Sequence, residues 1–276
     1  MRMAIFICDF TRKRGISQIN SVPLQVKTKT PMDRIMSQTK DMQINGKDYS
    51  NRIVEAVRFF GNKKQKQQAE SSDSSNRGAV VGGKQMDGFI ELLKEVAQDA
   101  GVPTECIIAD KNYLPGFFRS SKEWDLLVIT PSRKLVAAIE LKSQVGSYGN
   151  NFNNRTEEAI GSAVDFWTAF REGQFPGQPA PWVGWLMVVG RDENSERIVR
   201  NYESYFPVRP EFNGACCLDR YRILCQKLIW ERHYTSVALL WTSGENTFGD
   251  MSADISITCF LHSFSCYLHS VSDEFK

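Results

Sequence analysis

The sequence predicts an α/β protein whose mixed central sheet is flanked by helices. Apolar runs of strand length, such as 124–130 and 182–189, alternate along the chain with amphipathic segments of helical spacing, such as 86–100. The chain has 276 residues, 42% hydrophobic and 24% charged, which is an ordinary composition and long enough to bury a full core. Wholesale disorder is therefore excluded, and no apolar run approaches the ~18 residues that a membrane helix needs.

The N-terminal half of the domain is predicted to be mainly helical. From Tyr49, apolar residues recur at helical spacing and predict a helix over about 48–61. The polar, Ser/Gln-rich stretch 63–83 ends in two glycines and is typical of a mobile loop. A second amphipathic helix is expected at about 86–100, with Gly101 as its stop.

The remaining elements alternate between strands and helices. Strands are predicted at 106–108, 124–130, 135–142, 182–189 and 236–241, and helices at about 156–171, 216–232 and 252–270. The polar turn 131–134 joins two of the strands into a hairpin, and the Gly/Asn-rich stretch 143–154 is expected to be a loop.

Cysteine usage favours a cytoplasmic protein. The seven cysteines include no C-x-x-C pair, which is typical of reduced, buried thiols. The apolar stretch 3–8 is too short for a signal peptide. Four possible zinc ligands share one helical face of the last helix, but their apolar neighbours favour a buried helix over a metal site. These four are Cys259, His262, Cys266 and His269.

Three charged residues of the predicted hairpin carry the chemistry. Glu140 and Lys142 are two apart on one strand and therefore share a face. The turn at 131–134 folds Asp125 back beside them. Since these strands are otherwise apolar, burying such charges is costly unless they pair with one another or bind a metal.

This arrangement suits metal-assisted phosphodiester hydrolysis. Two carboxylates, with the backbone carbonyl of Leu141 between Glu140 and Lys142, can hold Mg²⁺, and the Lys142 ammonium can stabilise charge that develops on a phosphate. The alternative is an ordinary salt bridge, because acids and lysines near strand ends are common. The residues alone leave both interpretations open.

The chain resembles the PD-(D/E)XK nucleases and, more specifically, the XhoI-type type II restriction endonucleases. The resemblance rests on Asp125 with the Glu140–Lys142 triplet and on four segments. These are RGAVVGGKQMDGF (77–89), EWDLLVIT (123–130), AAIELKSQVGSYGNNFNNRTEEAIGSAVDFW (137–167) and FGDMS (248–252). Trp124 stands where the superfamily signature has Pro. The resemblance implies a restriction-endonuclease-like core and Mg²⁺-dependent cleavage of double-stranded DNA at CTCGAG by a homodimer. It also implies a bacterial protein with a partner methyltransferase that protects host DNA.

The resemblance also implies roles for individual residues. Asp125 and Glu140 become metal ligands with the Leu141 carbonyl, Lys142 becomes the catalytic lysine, and an early helix supplies a further carboxylate, for which Glu91 is preferred to Glu95. Amide and basic side chains after the catalytic strand are expected to contact DNA. They are Gln144, Asn150, Asn151, Asn153, Asn154 and Arg155, with Lys84 as a further contact.

The first 47 residues lie outside the resemblance and differ from the rest in charge. They hold nine Lys or Arg and three Asp or Glu, a net of +6 against −4 for the remainder. We therefore divide the chain into a basic extension, 1–47, either flexible or not native, and a single nuclease domain, 48–276. Residues 1–41 are expected to be an optional extension or an upstream reading from a misassigned start; the alternative is a basic arm that grips phosphates.

Two other functions remain open at this stage. One is a repair or junction-resolving nuclease of the same fold. The other is a DNA-binding protein that has lost hydrolysis, although retention of Asp125, Glu140 and Lys142 argues against it.

Overall fold

The computed structural model describes residues 43–44, 46–70, 84–203, 205–244 and 247–276, without the side chains of 64–70, 84 and 150. The helices are α1 (Ser50–Glu70), α2 (Asp87–Asp99), α3 (Tyr148–Arg171), α4 (Glu193–Glu196), α5 (Cys217–Trp230) and α6 (Ile257–Ser270). The strands are β1 (Gln43–Ile44), β2 (Lys47–Asp48), β3 (Ile107–Ile108), β4 (Tyr113–Leu114), β5 (Lys122–Glu123), β6 (Leu126–Ile129), β7 (Leu135–Gln144), β8 (Trp182–Gly190), β9 (Ser236–Ser243) and β10 (Thr247–Asp250).

Six strands form one mixed sheet in the order β10-β9-β8-β7-β6-β3. The three long strands β7, β8 and β9 run parallel, whereas β6 and β3 on one side and β10 on the other are antiparallel to their neighbours. The predicted α/β class with a mixed sheet is confirmed. The predicted 124–130/135–142 hairpin is confirmed by the antiparallel pairing of β6 with β7.

Helices cover both faces of the sheet, and each face has its own apolar core. On one face α1, α2 and α6 pack against alternate residues of β7 such as Ile139 and Leu141. On the other face α3 and α5 pack against Ala138, together with Trp185 of β8. None of the helices in the described ranges is long and apolar enough to cross a membrane.

Two helices are longer than predicted. The first continues to Glu70, so the prediction of a loop from residue 63 is wrong over its first eight residues. The stretch KKQKQQAE is built largely of straight-chain residues, which favour helix despite being polar. The rest of that predicted loop, 71–83, lies outside the described residues.

The prediction of a loop over 143–154 is also wrong for most of its length, because α3 begins at Tyr148. Tyr148 is buried and the Phe152 ring packs edge-on against Tyr221, with ring centroids 5.1 Å apart. These two aromatic residues extend the apolar stripe of Ala159 and Ala163 back by about three turns. Tertiary packing thus overrides the loop preference of the intervening Gly and Asn residues.

The described part of the N-terminal segment packs onto the domain. Ile44 lies in the core beside α1 and α2, and Lys47 forms ion pairs with Glu95 and Asp99 at 3.0 and 2.6 Å. The packed body therefore includes Ile44 and Lys47 of the predicted 1–47 extension, whereas residues 1–42 and 45 lie outside the described residues. A strand that the sequence did not indicate, β10, pairs with β9 through Phe248 and Asp250.

Candidate active site

The three catalytic candidates meet where β6 begins beside β7. The Asp125 N–H donates to the Ile139 carbonyl at 3.0 Å, and Leu126 is paired with Ile139, so Asp125 lies opposite Glu140. One Asp125 oxygen, Oδ2, accepts the Leu141 N–H at 2.7 Å. The Lys142 ammonium forms an ion pair with Glu140 Oε1. The structure thus brings the whole predicted triplet to one point, on the sheet face covered by α3 and α5.

A second lysine, which the sequence reasoning missed, completes this cluster. Lys122 of β5 forms an ion pair with the other oxygen of Glu140, Oε2, and donates to the Glu123 carbonyl at 2.7 Å. Its ammonium lies 4.5 Å from the centroid of the Trp124 ring. The Glu140 carboxylate is therefore held between two ammonium groups and is buried. The only sequence signal was the position of Lys122, three residues before Asp125.

Burial and mutual charge perturb the acids and bases of the cluster. Burial raises the pKa of Asp125 to about 6, and the nearby negative charge of Glu140 adds to this effect. Burial alone would lower the pKa of Lys142, but the charges of Glu140 and Asp125 raise it. For Lys122 burial dominates and lowers the pKa in spite of its ion pair. The four groups thus act as one electrostatic unit.

The donor set of this cluster fits a divalent cation that prefers oxygen. Two carboxylates stand on directly opposed strand positions, and burial raises the pKa of Asp125, so a bound cation would offset the cost of its buried charge. In a strand the N–H and C=O of one residue point toward the same neighbour, so the Leu141 carbonyl lies on the Asp125 side. Within the described ranges, no group of three or more His, Cys, Asp or Glu side chains could hold a metal ion. A cation here would therefore depend on two carboxylates, the carbonyl and further ligands from water or phosphate.

The predicted DNA contacts lie on the end of β7 and the first turns of α3. Asn153 and Asn154 are exposed, Asn151 and Arg155 are half-buried, and Gln144 is buried with its amide donating to the Gly146 carbonyl at 2.5 Å. Arg155 pairs with Glu158 at 2.6 Å, and the Glu158 charge in turn contributes to the raised pKa of Lys142. The start of α3 is therefore electrostatically coupled to the catalytic cluster. The side chains of Lys84 and Asn150 lie outside the described set.

The carboxylates predicted on the early helix, α2, have partners of their own. Glu91 is 61% exposed and pairs with Lys94 on the same helix at 2.8 Å. Glu95 pairs with Lys47 and with Arg52, so it ties α2 to β2 and α1. Both residues thus contribute ion pairs on the surface of the helical layer, and a catalytic part for Glu91 stays a prediction.

The sheet topology and the cluster at the start of β6 together define a restriction-endonuclease-like protein. Comparison with known families agrees, since the family described as "Restriction endonuclease XhoI" matches residues 64–253. The chain belongs to the XhoI restriction endonuclease family and is a type II restriction endonuclease.

Three relatives are similar to the chain over at least half of its length. The type II restriction enzyme BstVI of Geobacillus stearothermophilus is 43% identical over 206 residues, which cover 71% of this chain and 92% of BstVI. XhoI of Xanthomonas vasicola is 49% identical over 58% of this chain and 66% of its own length. AbrI of Azospirillum brasilense is 49% identical over 51% of this chain and 67% of its own length. No solved structure matches the chain.

Proposed function

We propose that this protein hydrolyses phosphodiester bonds of double-stranded DNA at the palindrome CTCGAG in a Mg²⁺-dependent reaction. The observation that carries the proposal is the position of Asp125 opposite Glu140, with Lys142 paired to Glu140 on the same strand face. Opposed carboxylates with a neighbouring lysine provide both a cation site and a positive charge for a phosphate. The relationship to XhoI supports the choice of sequence.

Each residue of the cluster has a distinct task in this proposal. Asp125, Glu140 and the Leu141 carbonyl hold the cation, which when bound supplies Lewis-acid activation of the phosphate. The backbone N–H of Leu141 fixes the orientation of the Asp125 carboxylate. The Lys142 ammonium stabilises negative charge on the phosphate, and it lies 6.0 Å from the centroid of the Trp185 ring.

Sequence recognition is assigned to the end of β7 and the start of α3. The exposed amides of Asn153 and Asn154 are free to read base edges, and Arg155 lies one residue further along the helix. Asn150, Asn151, Gln144 and Lys84 complete the proposed contact set. A palindrome is read most simply by a two-fold symmetric homodimer with one active site per strand, and we propose that assembly together with a protecting methyltransferase.

Cleavage of plasmid DNA with Mg²⁺, followed by sequencing of the ends, tests the proposal. Discrete ends at CTCGAG are expected. Cuts that follow DNA structure instead of sequence would favour a repair or junction-resolving nuclease, and binding without cutting would favour a non-enzymatic DNA-binding protein.

The role of Lys142 is tested by Lys142→Ala beside a matched control, Lys134→Ala. Lys134 is an exposed lysine near the start of the same strand and pairs with Glu274 at 2.8 Å. Loss of a charge that stabilises the transition state should lower kcat by about 10²–10³ while duplex binding is retained. The control should cleave at the wild-type rate. Retained cleavage by Lys142→Ala would refute the assigned role.

A further inference from the structure

Lys122 is more deeply buried than the lysine of the predicted catalytic triplet. Its side chain is 12% exposed, against 23% for Lys142. Its polar contacts are the Glu140 carboxylate and the Glu123 carbonyl, and its ammonium lies over the Trp124 ring. Lysine is rarely buried without a compensating partner, and the partner here is the central carboxylate of the active site.

The charges of the cluster balance only when Lys122 is counted. Asp125 and Glu140 bring two negative charges, and Lys142 alone would leave the cluster with a net of −1. Lys122 neutralises this excess and engages Oε2 of Glu140, the oxygen that Lys142 does not engage. A divalent cation that binds Glu140 must therefore compete with an ammonium group that already pairs with that carboxylate.

The segment that leads to Lys122 is held in place from the adjacent helix. Asp165 of α3 is buried, and its Oδ1 accepts the N–H groups of Phe117 and Phe118 at 2.9 and 2.7 Å. The Arg119 side chain closes the arrangement by donating to Asp165 Oδ2 at 2.8 Å. Lys122 follows Arg119 by three residues. The segment that places Lys122 beside Glu140 is therefore anchored to α3 by hydrogen bonds.

We propose that Lys122 is a positioning residue that orients Glu140 and competes with the divalent cation for its carboxylate, an inference that rests on the proposed function. Lys122 keeps the acidic pair neutral before the cation binds. It thereby lets the DNA phosphate approach two buried carboxylates. Its removal should strengthen cation binding and weaken metal-free DNA binding, whereas a merely structural ion pair would have neither effect in a folded variant.

Calcium binding without DNA, measured by isothermal titration calorimetry, tests this directly. Lys122→Met drops the charge but keeps an unbranched stem against Trp124, and Lys122→Arg keeps the charge. We expect Lys122→Met to bind Ca²⁺ about tenfold more tightly than wild type, a change of one decade in Kd. Lys122→Arg should bind Ca²⁺ with a Kd within about threefold of the wild-type value.

DNA binding provides the second readout. A fluorescent CTCGAG duplex in EDTA should bind Lys122→Met several-fold more weakly than wild type, and Lys122→Arg should restore the affinity. Lys122→Gln repeats both measurements with a polar replacement, and thermal melting verifies that each variant is folded. Wild-type or weaker Ca²⁺ affinity in a folded Lys122→Met or Lys122→Gln would overturn the inference.

Asp125→Asn separates this inference from the proposed function. If Asp125→Asn binds Ca²⁺ as wild type does, the cation site is misplaced and the proposed function fails with it. If Asp125→Asn abolishes Ca²⁺ binding while Lys122→Met leaves it unchanged, only the role of Lys122 fails.

Discussion

Replacement of Asp165 by Ala should destabilise the protein by about 3–6 kcal/mol. The carboxylate is 4% exposed and accepts the backbone N–H groups of Phe117 and Phe118, at 2.9 and 2.7 Å, and a longer one from Arg119 at 3.3 Å. Hydrogen bonds to a charged group contribute about 1.5–3 kcal/mol each, and the two shorter ones account for the range. The Arg119 side chain is 47% exposed, so its ion pair adds little.

Urea unfolding followed by circular dichroism measures this loss, with equal m-values as the condition for comparing free energies of unfolding. Asp165→Asn keeps an acceptor oxygen and should lose only about 1–2 kcal/mol. Burial alone would raise the pKa of Asp165, but the hydrogen bonds from Arg119 and the backbone lower it. The contribution is therefore present above pH ~4 and lost as the pH falls through the lowered pKa. A loss below 1 kcal/mol for Asp165→Ala at pH 7 would refute this account.

Two other predictions concern Gly116 of the same segment and Asp250. Asp250 ends β10, and its side chain accepts the N–H of Ile257 at the start of α6. Gly116→Ala should destabilise the segment and lower cleavage, because an added Cβ would lie 2.3 Å from Asp165 Oδ2. The matched control is Gly161→Ala in α3, where a Cβ would enter open space. This variant should gain about 0.5–1 kcal/mol in free energy of unfolding, measured in urea. Similar behaviour of the two variants would contradict the packing argument. Asp250→Asn should stabilise the protein at pH 8 by up to about 3 kcal/mol, because burial raises the pKa of Asp250 to about 6 and the folded state disfavours its charged form. That gain should vanish as the pH falls below about 4, since the acid is then protonated in both states, and a pH-independent difference in denaturant unfolding would show that the charge is not the cause.

The central sheet could be predicted because its strands are short apolar runs with clear boundaries. Trp182 to Gly190 is buried along its whole length, and its composition predicted a strand covered on both faces. The hairpin geometry then placed Asp125 beside Glu140 from the turn position alone. These features are local in the sequence, so the pattern was sufficient.

Features that depend on distant packing could not be predicted. The first turns of α3 contain Gly149 and several Asn residues, and only the contact of Phe152 with Tyr221 explains why they are helical. Lys122 was missed because its partner Glu140, 18 residues away in the sequence, is brought to it by tertiary structure. The short β10 pairs locally, with Thr247 opposite Ser243, but its residues TFGD contain no apolar run that would predict a strand.

The link between β7 and α3 has a consequence for fidelity. Only Val145, Gly146 and Ser147 separate the strand that carries Glu140 and Lys142 from the helix proposed to read DNA, and the latter two adopt positive φ angles of 73° and 47°. Because the connection is only three residues long, a displacement of the first turn of α3 also moves the end of β7. A misplacement of about 1 Å costs roughly a hundredfold in rate. If α3 reads DNA as proposed, an incorrect base pair should slow cleavage by misaligning Glu140 and Lys142 on β7, even where the DNA is still bound.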